Sequence, residues 1–241
     1  MAMFIVMLLA HLLGDYLFQF DALARWKSRS LWGVVAHGGI VTATTLACAA
    51  LIDPTWWPYA LLIGVTHTGI DVVRARLIHT TSTTWDMVLY LLDQVAHVAI
   101  IVLVVWQSGA AMRRPPETVL VRVDPLKMLA VVTGYLLLLH PAWVLLRFIV
   151  RGVWGAESAP HLGTGEKYGP MVERVVITTL VVVGQFYWIP LVLFPRRLMA
   201  IQWQNNGVGV MMQLTAHWGE TLLSVLLAAG VGLILRATGF F

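Results

Sequence analysis

Apolar blocks of about 20 residues dominate the chain, and this is the length that an α-helix needs to cross a membrane. Of the 241 residues, 59% are hydrophobic and 12% are charged, whereas soluble domains carry about 25% charge. Seven such blocks can be marked. They run from Ala2 to Phe20, Leu31 to Ile52, Trp56 to Val73, Trp85 to Gln107, Leu126 to Val150, Met171 to Phe194 and Val210 to Leu235.

This pattern predicts an all-α protein, a polytopic transmembrane helical bundle with six to seven spans. The first and third blocks are short and polar at one end, so either is a candidate for a tilted or partly sheltered span. We expect a single membrane domain in which residues 1–107 form a four-helix region and residues 108–241 form supporting transmembrane helices. A polar stretch around 152–170 predicts an interfacial loop.

The distribution of basic residues predicts the orientation. Arginines and lysines follow the first, third and fifth blocks, whereas the connection between the second and third blocks holds only Asp53. By the positive-inside rule the N-terminus then lies outside. The formal charge of +4 sits between apolar blocks, which is typical of anchors that face anionic lipid. Membrane lipid is therefore the expected partner, and a nucleic-acid partner is not.

Ionisable residues inside the first four blocks are the most informative feature, because a charge at the centre of a bilayer costs several kcal/mol. In three of these blocks a histidine and an aspartate are four residues apart, which places both on one helix face. In the fourth block their order is reversed. The full set is His11, Asp15, His37, His67, Asp71, Asp93 and His97.

All seven side chains are predicted to lie at similar depth. A helical rise of about 1.5 Å per residue places them about 12 to 21 Å below the outer face of a core about 30 Å thick. The reversed order in the fourth block suits an antiparallel neighbour, which then presents its groups at matching height. The seven residues thus form one predicted layer.

Four imidazoles and three carboxylates can ligate two divalent ions. The mixture suits Zn best, with Mn or Fe as alternatives, rather than Ca or Mg. Asp15 and Asp93 are candidates for the catalytic proton acceptor, and Gln19 and Gln94 for groups that orient a ligand. Gly14, Gly38 and Gly39 would permit close helix approach. A proton relay, an interhelical hydrogen-bond network and a pigment site remain alternatives.

The pattern formed by these residues resembles a bacterial integral membrane family known as domain of unknown function 3307. The resemblance rests on the run from His11 to Gln19, on His37, on His67 with Asp71, and on Asp93-Gln94 with His97. Stretches around Gly134, Gly169 to Arg174 and Gln185 extend it over nearly the whole chain. The segments Phe194 to Arg197 and Gln202 to Met212 depart from it. The resemblance implies the bacterial cytoplasmic (inner) membrane and implies no activity.

The sequence is compatible with three functions. The first is an intramembrane metal-dependent hydrolase that acts on a lipid or lipid-linked phosphoester, amide or ester. The second is a transporter of protons or metal ions, in which the same groups form a relay. The third is a non-catalytic subunit of a larger membrane assembly, respiratory or photosynthetic, whose histidines bind haem or chlorophyll-type pigments; partner subunits would then be expected.

Overall fold

A computed structural model describes residues 2–78, 82–110, 124–158, 167–195 and 210–239. Every regular element in these ranges is helical, which confirms the all-α prediction. Residues 159–166 of the predicted interfacial loop lie outside the described residues. Residues 196–209 also lie outside the described residues. They include most of the two segments, Phe194 to Arg197 and Gln202 to Met212, in which the sequence departs from the family pattern.

The chain divides into two compact units. Unit 1 comprises Met1–Thr81 and Val88–Thr133, and unit 2 comprises Ser82–Met87 and Gly134–Phe241. The helices, in chain order, are α1 (Ala2–Leu12), α2 (Asp21–Lys27), α3 (Leu31–Ile52), α4 (Trp57–Leu77), α5 (Thr83–Gln107), α6 (Pro125–Leu138), α7 (His140–Trp154), α8 (Tyr168–Val182), α9 (Ile189–Val192) and α10 (Val210–Ala237).

The first predicted block is bent rather than straight. After α1 the chain continues through a π-helical turn, Leu13–Leu17, before α2 begins at Asp21. The two helical segments enclose an angle of 88°. Turns of this kind are common at functional sites, because the extra residue changes the direction of the side chains around it. Here Asp15 lies within the turn, and the bend brings the end of α2 back toward it.

α3 and α4 pack closely because small residues face each other where they meet. α3 begins after Ser30, whose Oγ accepts a hydrogen bond from the backbone N–H of Trp32. A Cβ added to Gly38 of α3 would overlap Thr68 of α4, and one added to Gly64 of α4 would overlap Thr42 of α3. Gly39, which we also expected at a helix contact, instead faces open space.

Within the described residues, four stretches are long and apolar enough to cross a membrane, which is consistent with membrane insertion. They are α3, α5, the stretch Pro125–Trp154 that contains α6 and α7, and Leu214–Ala237 within α10. The bent N-terminal pair would add a fifth. The predicted sixth block is interrupted, because α8 ends at Val182 and Gly184 follows with a φ of +78°. The count of six to seven spans stays a prediction.

In unit 2 a buried arginine completes the hydrogen bonding of a helix end. The last carbonyls of a helix have no partner within the helix. Arg174 of α8 is fully buried, and its Nε–H donates to the Leu138 carbonyl at 2.7 Å. Its Nη2 donates to the carbonyl of Leu139 at 3.4 Å. The carbonyls at the junction of α6 and α7 thus have hydrogen-bond partners although they lie in an apolar environment.

The variant Gly38→Ala tests the close packing of α3 on α4. We expect it to lower the free energy of unfolding by about 1 to 3 kcal/mol, because the added methyl group forces the two helices apart. The measurement is thermal unfolding of detergent-purified protein, followed by circular dichroism. The matched control is Gly39→Ala, which replaces the neighbouring glycine where there is open space and should not lower the midpoint. Equal midpoints for the two variants would contradict this packing.

Candidate metal centre

The site is assembled where small residues let three segments of unit 1 approach one another. Asp15 follows Gly14, and a Cβ on Gly14 would lie 3.1 Å from the Cα of Val41 in α3. His37 precedes Gly38, which contacts Thr68, the residue after His67. Asp15, His37 and His67 are therefore each adjacent in sequence to a residue at a close packing contact. Their side chains meet.

The first triad consists of Asp15, His37 and His67. Asp15 Oδ1 lies 2.9 Å from His37 Nε2 and 3.8 Å from His67 Nε2, and the two Nε2 atoms are 3.4 Å apart. A tetrahedral ion with bonds of about 2.0 to 2.2 Å separates its ligand atoms by about 3.3 to 3.6 Å. The three residues are 7%, 0% and 3% exposed. The triad therefore has nearly the spacing that one such ion requires.

The second triad consists of His67, Asp71 and His97, whose ligand atoms lie within 4.8 Å of one another. Asp71 Oδ2 is 3.4 Å from His67 Nε2 and 3.5 Å from His37 Nε2. The His67 and His97 rings have centroids 4.0 Å apart. Because the two triads share His67, they form adjoining parts of one site.

Lys27 provides a cation next to both triads. Its Nζ lies 2.8 Å from Asp71 Oδ2 and 3.9 Å from Asp15 Oδ1. The ammonium also donates to Gln19 Oε1 at 3.4 Å. Gln19, predicted to orient a metal ligand, therefore contacts Lys27 in this structure. Asp71 is the more strongly neutralised carboxylate, which leaves the first triad as the better place for a metal ion.

Asp93 lies beside the triads, in contact with groups from two helices. Arg74 Nη1 donates to Asp93 Oδ2 at 3.3 Å, and the guanidinium lies over the Tyr90 ring, 5.3 Å from its centroid. His97 Nδ1 is 3.7 Å from the same oxygen. The other oxygen, Oδ1, is buried and has no hydrogen-bond partner among the described residues. That oxygen can therefore accept a further hydrogen bond.

Gln94 connects Asp93 to the first triad. Its Nε2 donates to Asp93 Oδ2 at 3.0 Å and to Asp15 Oδ2 at 3.5 Å. Tyr16 donates its hydroxyl proton to Gln94 Oε1 at 2.8 Å. The 2.8 Å contact between the Tyr16 and Tyr90 hydroxyls is then donated by Tyr90, because Tyr16 has a single proton. This network fixes the amide so that Asp15 Oδ1 faces the two imidazoles.

His11 lies beside the two histidines of the second triad. Its ring packs against those of His97 and His67, with centroids 5.3 and 5.6 Å apart. Its Nε2 is buried and has no hydrogen-bond partner among the residues that the structure describes. A small cavity, with room for about one water molecule, separates these rings from apolar side chains. Those side chains are Val41, Ile63, Ile100 and Ile101, with Thr45 beside them.

The sequence of this region matches a known family. Residues 3–120 match the family model described as "Protein of unknown function (DUF3307)". This part of the chain belongs to the DUF3307 family. The match stops well short of the near-complete coverage that we expected. No curated protein and no solved structure matches the chain.

The DUF3307 region contains the whole site. All seven predicted residues lie in it, and the structure brings them together as two triads flanked by His11 and Asp93. Sequence reasoning missed Lys27, Arg74 and Tyr16. Lys27 and Arg74 follow apolar blocks, where basic residues are usual at a membrane surface. The one available signal was the spacing of three residues between Asp71 and Arg74, which places both on one face of α4.

The variant Gln94→Ala tests the network around Asp15 in the DUF3307 site. Loss of the amide releases Asp15 Oδ2, and loss of such an outer contact typically weakens metal affinity about 10- to 100-fold. We expect zinc affinity, measured by competition with a chromophoric chelator, to fall by this factor at unchanged stoichiometry. The control is Gln107→Ala, at the exposed end of the same helix. Equal affinities for the two variants would refute the role of Gln94.

Proposed function

We propose that this chain is an intramembrane metal-binding protein, with zinc as the favoured ion and Mn or Fe as alternatives. We further propose that it hydrolyses a lipid or lipid-linked substrate. The convergence of Asp15 Oδ1, His37 Nε2 and His67 Nε2 in a buried position carries this proposal. Three protein ligands with one open position are typical of catalytic zinc, whereas structural zinc sites have four.

The chemistry of the donors supports this choice of metal. Two imidazoles and one carboxylate suit zinc and the neighbouring transition metals, whereas Ca and Mg prefer oxygen ligands alone. A divalent ion at this position would lower the pKa of water and polarise a substrate oxygen. Asp15, His37 and His67 would hold the ion, and Gln94 would orient Asp15. Asp93 would accept the proton from water through its buried Oδ1.

The surface of unit 1 supports a location in the lipid bilayer. Two charged residues of the site, Asp71 and Arg74, lie on α4 and contact Lys27 and Asp93. The outward side of α4 exposes Leu61, Leu62, Val65 and Val73. A helix with this distribution can cross a bilayer although its average hydropathy is modest. We therefore propose that α4 counts among six to seven spans. We place the chain in the bacterial inner membrane with its N-terminus outside.

Transport of protons or metal ions is a second candidate, and one observation favours it. Polar contacts form a continuous chain from Asp93 through Gln94 to Asp15, and from there through His37 and Asp71 to Lys27. Such chains are common in proton relays within membranes. Proteoliposomes distinguish the two functions, since a transporter acidifies or loads the vesicle lumen and a hydrolase does not.

Metal content tests the proposed centre. Elemental analysis of protein purified in detergent without chelators should find about one zinc, manganese or iron ion per chain, as expected for a three-ligand site. His37→Ala and His67→Ala should each lose it, because two remaining ligands hold the ion poorly. His140→Ala, which removes a half-buried histidine of unit 2, should keep it. Absence of metal from the unaltered protein would reject the centre.

Asp93→Asn separates proton transfer from metal binding. The substitution keeps the size of the side chain but removes its basicity, so hydrolysis of a lipid ester substrate should slow by about 10²- to 10⁴-fold. Metal content should not change, because Asp93 lies in neither triad. Turnover and elemental analysis are measured on the same preparation. Asp21→Asn, at an exposed position, is the control, and equal turnover in both variants would exclude Asp93 as the base.

A further inference from the structure

Two cationic side chains lie along one edge of the site. Lys27 pairs with Asp71, and Arg74 pairs with Asp93. The side chains of Lys27 and Arg74 are 18% and 19% exposed, whereas those of their aspartate partners are 1% and 3% exposed. Each cation therefore reaches from a buried carboxylate toward the surface of unit 1.

Both cations lie at the same end of the site. Asp71 and Arg74 are three residues apart on α4, so they share a face about one helical turn apart. Along that face, Ile63 comes first, then His67, Asp71 and Arg74. This face of α4 thus changes from apolar at Ile63 to cationic at Arg74. Isoleucines surround the small cavity at the apolar end, whereas the partly exposed Lys27 and Arg74 side chains are the polar groups nearest the surface at the cationic end.

The charge balance indicates the sign of the substrate. With neutral histidines, Asp15, Asp71 and Asp93 contribute three negative charges, and Lys27 and Arg74 contribute two positive charges. The net charge of these five groups is −1, which favours binding of a cation. A divalent metal ion would change it to +1. In a buried site of low dielectric constant, this surplus favours an anion next to the metal.

We propose, on the basis of the hydrolase function above, that the substrate is a phosphate ester whose oxygens are bound by Lys27 and Arg74. A guanidinium matches the geometry of phosphate in a bidentate manner, and an ammonium binds it as a point charge. A metal ion and two cations around one phosphoryl group also stabilise the charge that develops during transfer. Uncharged carboxylic esters and amides would leave the surplus positive charge uncompensated.

The proposed reaction balances without a further reactant. The oxygen of water forms a bond to phosphorus, and the ester P–O bond breaks. The proton that water loses passes through Asp93 to the departing alcohol oxygen. The products are an alcohol and inorganic phosphate, or a phosphate monoester when the substrate is a diester.

Binding of phosphatidic acid to the zinc-loaded full chain in detergent micelles tests this proposal. Dioleoyl phosphatidic acid and dioleoylglycerol share their acyl chains and differ by the phosphate, and inorganic phosphate lacks the chains. We expect phosphatidic acid to bind about tenfold or more tightly than dioleoylglycerol, because charge-assisted hydrogen bonds of this strength are lost with the phosphate. Calorimetry or a thermal shift measures all three. Weaker binding of inorganic phosphate identifies a lipid headgroup, and equal binding identifies free phosphate; both support the phosphoryl class.

Variants separate the two cations from the metal centre. Lys27→Gln and Arg74→Gln should each weaken phosphatidic acid binding about tenfold while zinc content stays constant. Arg25→Gln and Arg76→Gln remove charges at exposed positions of the same two helices and should bind as the unaltered protein does. Equal binding of phosphatidic acid and dioleoylglycerol to zinc-loaded protein, or unchanged binding by the Lys27→Gln, Arg74→Gln double variant, would overturn the phosphate proposal alone. A chain that takes up no metal would overturn the hydrolase proposal as well.

Discussion

The contact between the Asp15 carboxylate and the His37 imidazole, at 2.9 Å and shielded from solvent, is the constraint on which unit 1 depends. Burying a carboxylate without a partner costs several kcal/mol of folding free energy, which is more than most single contacts contribute. The chain therefore has to bring partners to it. Gly14 and Gly38 permit the close approach, and the 88° bend after α1 returns Lys27 to the same carboxylate. The close packing of the helices and the assembly of the site thus depend on the same contacts.

The fold was predictable from the sequence where local composition decides it. α3 occupies the expected block from Leu31 to Ile52, because an uninterrupted apolar run with a serine cap has no competing structure. The bend after α1 was not predictable, since nothing in the block Ala2 to Phe20 breaks a helix locally. The interruption after α8 depends on the positive φ of Gly184, and a glycine in an apolar run does not reveal its backbone conformation.

The residues of the site were predictable, but the contacts were not. Spacing of four places His67 and Asp71 on one face, and an ionisable residue in an apolar block indicates a function or a partner. Spacing along one helix, however, says nothing about which atoms of separate helices meet. Lys27 reaches the site because of the bend after α1, and Arg74 reaches it through its ion pair with Asp93 of α5. Both depend on tertiary structure, as does the division of the seven residues into two triads that share His67.

X-ray absorption at the metal edge of the purified protein is the sharpest test of the proposed metal centre, because it reports the atoms around the ion and not only its presence. We expect about four nitrogen or oxygen neighbours at about 2.0 to 2.2 Å. We also expect the outer-shell scattering of two imidazole rings, from His37 and His67, and its loss when either is replaced. Sulfur in the first shell, a shell of oxygen alone without imidazole scattering, or an edge too weak for stoichiometric metal would contradict it.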